Sequence, residues 1–152
     1  PAFEAARYLP VYELTRLRIE AKIATAAQPP VFICATAEND WATGYAFPLG
    51  SLSSLLTESW LGWKERQAML NTVGHLPWMT THALASPEGG SSYQLAEVAD
   101  GAPVDPFWVV RAAPAVIDGH NGIFQPPFLH FVADQVFRHV QYSRLKAAAR
   151  PS

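Results

Sequence analysis

Pro29-Pro30-Val31-Phe32-Ile33-Cys34-Ala35-Thr36-Ala37-Glu38-Asn39-Asp40-Trp41 is the stretch that decides how this chain is read. Two prolines force an extended entry, and Val31 to Ala35 is apolar without period-2 alternation. A short run of that kind suits a parallel strand covered by helices on both faces. It breaks into two carboxylates around an amide, so the strand delivers acid groups to a loop at its carboxyl end, where open parallel sheets place their sites.

The segments before it support the same architecture. Val11, Leu14, Leu17, Ala21 and Ala24 recur at helical spacing and predict an amphipathic helix over 11–26. Pro10 would occupy its first turn, and Arg16 and Glu20, four apart, would support one another. A helix followed at once by an apolar strand is half of an α/β repeat. The opening Pro1-Ala2-Phe3-Glu4 reads as the middle of a connection, as processing or truncation would leave it.

Toward the other end, Phe107 to Ile117 predicts a second strand with Pro114 as a bend or edge. It runs into Asp118-Gly119-His120-Asn121-Gly122, and Pro126-Pro127 opens a last helix with Phe128, Val132, Val136 and Val140 as its apolar line. Residues 147–152 are expected to fray. Between the strands, Trp41 to Phe47 predicts a turn of helix, and Ser51 to Trp63 a helix or apolar cover. Asn71 to Ala85 reads as a long loop, 87–92 as a turn cluster and Tyr93 to Val98 as a short strand.

Composition narrows the function classes. The 152 residues carry a formal net charge of −2 with both signs dispersed, which argues against a nucleic-acid binder. No apolar run reaches membrane-spanning length. One cysteine, Cys34, excludes an internal disulfide and reads as a small core residue. That is in keeping with a cytosolic protein, though the compartment stays open.

Two constellations carry chemistry. Asp40 or Glu38 would accept a hydrogen bond from a histidine and fix its tautomer, although Asp40 is equally suited to cap a helix starting at Trp41. His120, between glycines at a strand end, would be the general base, with Asp118 as a competing acid partner. His75 and His82 are alternative bases, or metal ligands with Asp40, but their spacing lacks a recognised zinc pattern. His130 and His139 read as ordinary helix residues. No cofactor or metal is called for.

At Val31–Thr43 and Val116–Phe124 the chain resembles the C-terminal half of an α/β-hydrolase, whose triad runs nucleophile, acid, histidine along the chain. The resemblance implies the C-terminal portion of a mostly parallel sheet flanked by helices. Ala37-Glu38-Asn39-Asp40 resembles the acid turn, and Asp118 to Gly122 the histidine loop. Pro1 to Glu4 resembles the connection after a preceding strand. The acid and histidine are 120 − 40 = 80 positions apart, longer than the family usually shows, which implies a loop-rich insertion or lid over 44–106 in one partial domain. No G-x-S-x-G elbow occurs; Gly50-Ser51-Leu52-Ser53-Ser54 and Gly90-Ser91-Ser92 lack the pattern.

The reading implied is a serine esterase or lipase-like hydrolase acting on a small-molecule ester. This chain would supply Asp40 and His120, and a missing N-terminal half of the same fold the nucleophile. Alone it would be nearly inert. The reading from another class is a non-catalytic interaction module whose surface is the loop bearing Trp60, Trp63 and Trp78.

Overall fold

The computed structural model describes residues 4–23, 28–40, 62–98 and 106–149. In these the chain is a mixed α/β fold. In order, it forms helix α1 (Ala5–Glu20), strand β1 (Phe32–Ala37), helix α2 (Trp63–Leu70), strands β2 (His82–Ala85), β3 (Gln94–Glu97) and β4 (Phe107–Ala112), and helix α3 (Pro126–Ala148). The four-stranded sheet has the order β1-β4-β2-β3. β4 pairs in parallel with β1 on one side and β2 on the other, and β3 is antiparallel to β2.

Side chains alternate across the sheet and sort into two core clusters. Phe32, Cys34 and Val109 pack with Ala5, Tyr8 and Tyr12 of α1, Ala68 of α2, and Val73, Leu76 and Met79. Ile33, Ala35, Trp108, Val110 and Ala112 pack with Val116, Ile117, Phe128 and Phe131. Helices therefore pack on both faces of the parallel β1–β4 pair, as an apolar, non-alternating run requires. Among the described residues β1 is an edge strand, and all of it but Ala37 is only partly buried. No helix among them is long and apolar enough to cross a membrane.

Both helices differ from the pattern-based expectation in which face packs. α1 starts at Ala5, not 11, and Pro10 lies inside it. The Ala5 N–H bonds Asn71 O at 3.0 Å, which starts the helix early by tying it to the end of α2. Its buried positions are Ala5, Tyr8, Tyr12 and Thr15, whereas Leu14 and Leu17 are exposed. Tyrosine rings supply the contact: Tyr8 stacks on Phe32 at 5.8 Å, and Tyr12 meets Trp78 edge-on at 5.3 Å. The expected Arg16–Glu20 pair is present at 2.8 Å. Helical φ/ψ is lost by Lys22, whose φ is +54°; residues 24–26 of the expected helix lie outside the described residues.

On α3 the buried residues are Pro127, Phe131 and Gln135, and Val132, Val136 and Val140 are exposed. The packed line runs through Phe131, which joins the core with Val110, Ala112, Val116 and Ile117 and meets Tyr93 edge-on at 5.6 Å. Phe128 N and Leu129 N both donate to Gln125 O at 3.1 Å.

The expected loop 71–85 is more ordered than its composition suggests. Gly74 and Pro77 divide it into two 3₁₀ turns, Val73–His75 and Pro77–Met79, and β2 follows. Thr81 splices β2 to β4: its hydroxyl donates to Val109 O and accepts from Val109 N, each at 3.0 Å. The turn over 87–92 and the strand over 93–98 are found, the latter as β3, and Gly89 and Gly90 have φ of +71° and +66°. β4 stops at Ala112, so the strand expected to reach Ile117 ends directly before Ala113-Pro114. The helical turn expected over 41–47, and most of the segment 51–63, lie outside the described residues. Trp63 opens α2 and is exposed.

Candidate active site

Two parallel, adjacent strands end at the same level, Ala37 opposite Ala112. From there each emits a loop. Glu38 N donates to Ala112 O at 2.9 Å, extending the ladder one residue, and Asp40 N closes a turn onto Ala37 O at 3.3 Å. On the β4 side, Val116 N and Ile117 N turn back onto Ala113 O at 2.8 and 3.1 Å. Val116 and Ile117 are buried and anchor the loop from below. With its amide oriented to donate, Gln125 reaches Val116 O and Ala115 O, both at 3.2 Å. Gly119, at φ +62°, then reverses the chain in a conformation that a side chain disfavours.

That reversal brings His120 to Asp40. His120 Nδ1 lies 2.9 Å from Asp40 Oδ2. The carboxylate is buried, 8 % exposed as a residue, and the imidazole is about half open, with 52 % of its side chain exposed. An ionised carboxylate only accepts, so Nδ1 carries the proton and Nε2 is left with a lone pair. An acid that fixes the tautomer from the buried side, and a base nitrogen on the open side, is the arrangement that general-base chemistry uses. Among the described residues no hydroxyl or thiol bonds Nε2. The Cys34 thiol sits within the sheet, where burial pushes its pKa up and away from thiolate reactivity.

The other candidate acids have different partners. Asp118 Oδ1 accepts from Asn39 Nδ2 at 2.7 Å. Glu38 Oε1 is 3.4 Å from Arg111 Nε, across the strand pair and largely in solvent. The competition for His120 is thus resolved in favour of Asp40.

Asn39, the amide between the two acids, joins the two loops. Its Oδ1 accepts from Gly119 N at 2.8 Å while its Nδ2 holds Asp118. One amide therefore ties the acid turn to the histidine loop. The usable sequence signal was the amide itself: Asn is the residue that can donate and accept at once from one short side chain.

The remaining histidines sit apart from His120. His82 lies on β2, stacked on Trp108 at 4.2 Å, with Nδ1 2.8 Å from Thr81 Oγ1. Because the Thr81 proton goes to Val109 O, Nδ1 of His82 is the donor in that bond. Burial pushes its pKa down, Glu97 opposing. His75 closes the 73–75 turn with Nδ1 2.8 Å from Thr72 Oγ1. His130 Nδ1 bonds Ser91 O at 2.9 Å. No group of three or more His, Cys, Asp or Glu suited to a metal ion occurs among the described residues.

Of the three tryptophans expected to share a surface, Trp60 lies outside the described residues and Trp63 is 75 % exposed. Trp78 is packed between Tyr12 and Lys64, its Nε1 donating to Gln67 Oε1 at 3.0 Å. No family model, curated protein or solved structure matches this chain.

Proposed function

We propose that Asp40 and His120 are the acid and base of a Ser-His-Asp triad in an ester hydrolase of the α/β-hydrolase type. The observation that carries the reading is the 2.9 Å bond between Asp40 Oδ2 and His120 Nδ1, made between loops from neighbouring parallel strands. In the cycle, His120 Nε2 takes the proton of a serine as it attacks the ester carbonyl and returns it to the leaving alcohol. Asp40 holds the ring and stabilises the imidazolium. The serine and oxyanion donors come from residues other than these, since the sequence has no G-x-S-x-G elbow.

The test is hydrolysis of a chromogenic short-chain ester by the chain together with the segment that carries the serine. His120→Ala is expected to lower turnover by about 10⁶-fold, the loss that follows removal of a triad base. Turnover at an undiminished rate in that variant overturns the reading.

A further inference from the structure

The packed face of α3 outruns the sheet. Pro127, Phe131 and Gln135 are buried at helical spacing, and Arg138, Tyr142 and Leu145 continue the same line. Burial stops short of them: Tyr142 is half-buried, Arg138 is exposed, and Leu145 is 72 % exposed. Across from these three stand Pro29 and Pro30, which lead into β1, and Trp108, near the start of β4. The gap between the two sides is a cleft of about 290 Å³. It lies toward the amino end of β4, whereas the His120 loop follows the carboxyl end of that strand.

The cleft walls are those of a small-molecule site, apolar and aromatic with a few convergent polar groups. Trp108 is held in place: its ring stacks on His82 at 4.2 Å, and its backbone is in register with Ile33 of β1. Tyr142, Leu145 and the two prolines complete the apolar surface, and Gln28 and Gln141 contribute amides. Arg138 is the one charged residue of this lining. Among the described residues its guanidinium has no hydrogen bond and no carboxylate within ion-pair distance. Asp134, one turn earlier, is bonded instead to the Tyr93 hydroxyl at 2.7 Å. The donors of Arg138 are therefore open to an acceptor from outside, and their planar fork matches a carboxylate. A second cleft, of about 340 Å³, shares Gln28 and Tyr142 with the first and also holds a cation, Lys146. There the Lys146 ammonium already sits over the Tyr142 ring at 5.8 Å, and no tryptophan forms a wall.

We propose that the cleft between α3 and Trp108 binds a small aromatic carboxylate. The ring of the ligand lies against Trp108, and its carboxylate takes the Arg138 guanidinium as partner. Apolar walls alone give no preference for an acid, and an exposed guanidinium alone holds an anion weakly in water. Together they select a molecule that carries both features. The site is separate from Asp40 and His120 and does not depend on their acting on esters.

The experiment is a ¹H–¹⁵N NMR titration of the chain with naphthoate, and with naphthamide as its uncharged counterpart. Trp108→Phe identifies the Trp108 indole signal by its loss. Naphthoate is expected to shift that signal saturably, with a Kd of about 1 mM or tighter for a probe of its size. Naphthamide binds about tenfold more weakly, the effect of losing one charge-assisted bond. Arg138→Gln weakens naphthoate by about tenfold and leaves naphthamide unchanged. Lys146→Gln leaves both probes within about twofold, as a surface charge outside the cleft should. Val109 and Val110 amide resonances report whether the sheet is intact. If Arg138→Gln perturbs them, Arg138→Lys replaces it: the charge stays, the fork is lost, and naphthoate alone weakens. No saturable shift at Trp108, equal affinities for the two probes, or equal weakening of both by Arg138→Gln overturns the proposal. So does a naphthoate response centred on Lys146 or His120 in place of Trp108.

Discussion

Asn39 Oδ1 accepts the Gly119 N–H at 2.8 Å, so the amide beside the acid holds the backbone beside the histidine. The same side chain donates to Asp118 at 2.7 Å. Asn39→Ala removes both bonds at an exposed position, with an expected cost of about 1 kcal/mol. Its effect on turnover should be larger than its effect on stability, because His120 loses its fixed approach. Urea denaturation alongside ester hydrolysis separates the two, and equal small effects on both would show that Asn39 does not position the loop.

Asp40→Asn keeps the shape of the acid but offers no charge to the imidazolium and permits the wrong tautomer of His120. Turnover is expected to fall about 10⁴-fold with little change in substrate affinity. Glu38→Gln and Asp118→Asn should each stay close to wild type. Steady-state kinetics on the three variants decides among the acids.

Gly74→Ala forces a Cβ against Thr36 with no flexible atom to give way, since the Thr36 Cβ itself is 2.2 Å from the new atom. Overpacking of this kind costs about 1–3 kcal/mol or more. Thr36→Ala does not relieve it, because the offending Cβ remains. Thermal melting of both single variants and the double variant tests this.

The packed face of α3 gives a sharp contrast. Phe131 is 1 % exposed, and Phe131→Ala is expected to cost about 3–5 kcal/mol. Val136 is 58 % exposed, and Val136→Ala should be nearly neutral. Gln135 is buried with both amide atoms unpartnered, so Gln135→Leu is expected to raise stability by about 1–2 kcal/mol. Denaturant midpoints rank the three.

Stability should fall at both ends of the pH range. His75 and His82 have folded pKa values pushed below 6.5 by burial, so the unfolded chain binds protons first. Stability is full above about 6.5 and declines as pH drops toward the lowered values. Tyr93 is raised from 10.0 to about 12 by burial and by its bond to Asp134, so stability declines as pH rises through that window. Tyr93→Phe should flatten the alkaline limb, and Gln at 75 and 82 the acid limb, in urea titrations across pH.

Local order and residue chemistry were legible in the sequence where a signal was strong. The apolar run 31–35 gave β1, the Pro126-Pro127 pair gave the start of α3, and the two loops that carry Asp40 and His120 were both found. The faces of the helices were not legible. Aliphatic periodicity pointed to Leu14, Leu17, Val132 and Val136, whereas the sheet is covered by Tyr8, Tyr12, Thr15, Phe131 and Gln135. Aromatic and short polar residues pack there through tertiary fit, which a one-dimensional hydrophobic pattern does not encode. β2 was missed because four residues beginning with a histidine carry little strand signal. Its place beside β4 depends on Thr81, a contact 28 positions away along the chain.

The Asp40–His120 bond joins residues 80 positions apart. The strands beneath it are the most distant pairing in the sheet, while β2 and β3 meet through a short local turn. Folding rates are limited by such non-local closures. The hairpin and the long helix can therefore form early, and the acid meets the base only when the largest loop closes. Recovery of the His120 Nδ1 signal during refolding is expected to lag the helical signal, and simultaneous recovery of the two would refute that order. A chain that has formed its helices and hairpin but not the β1–β4 pairing would lack the Asp40–His120 bond.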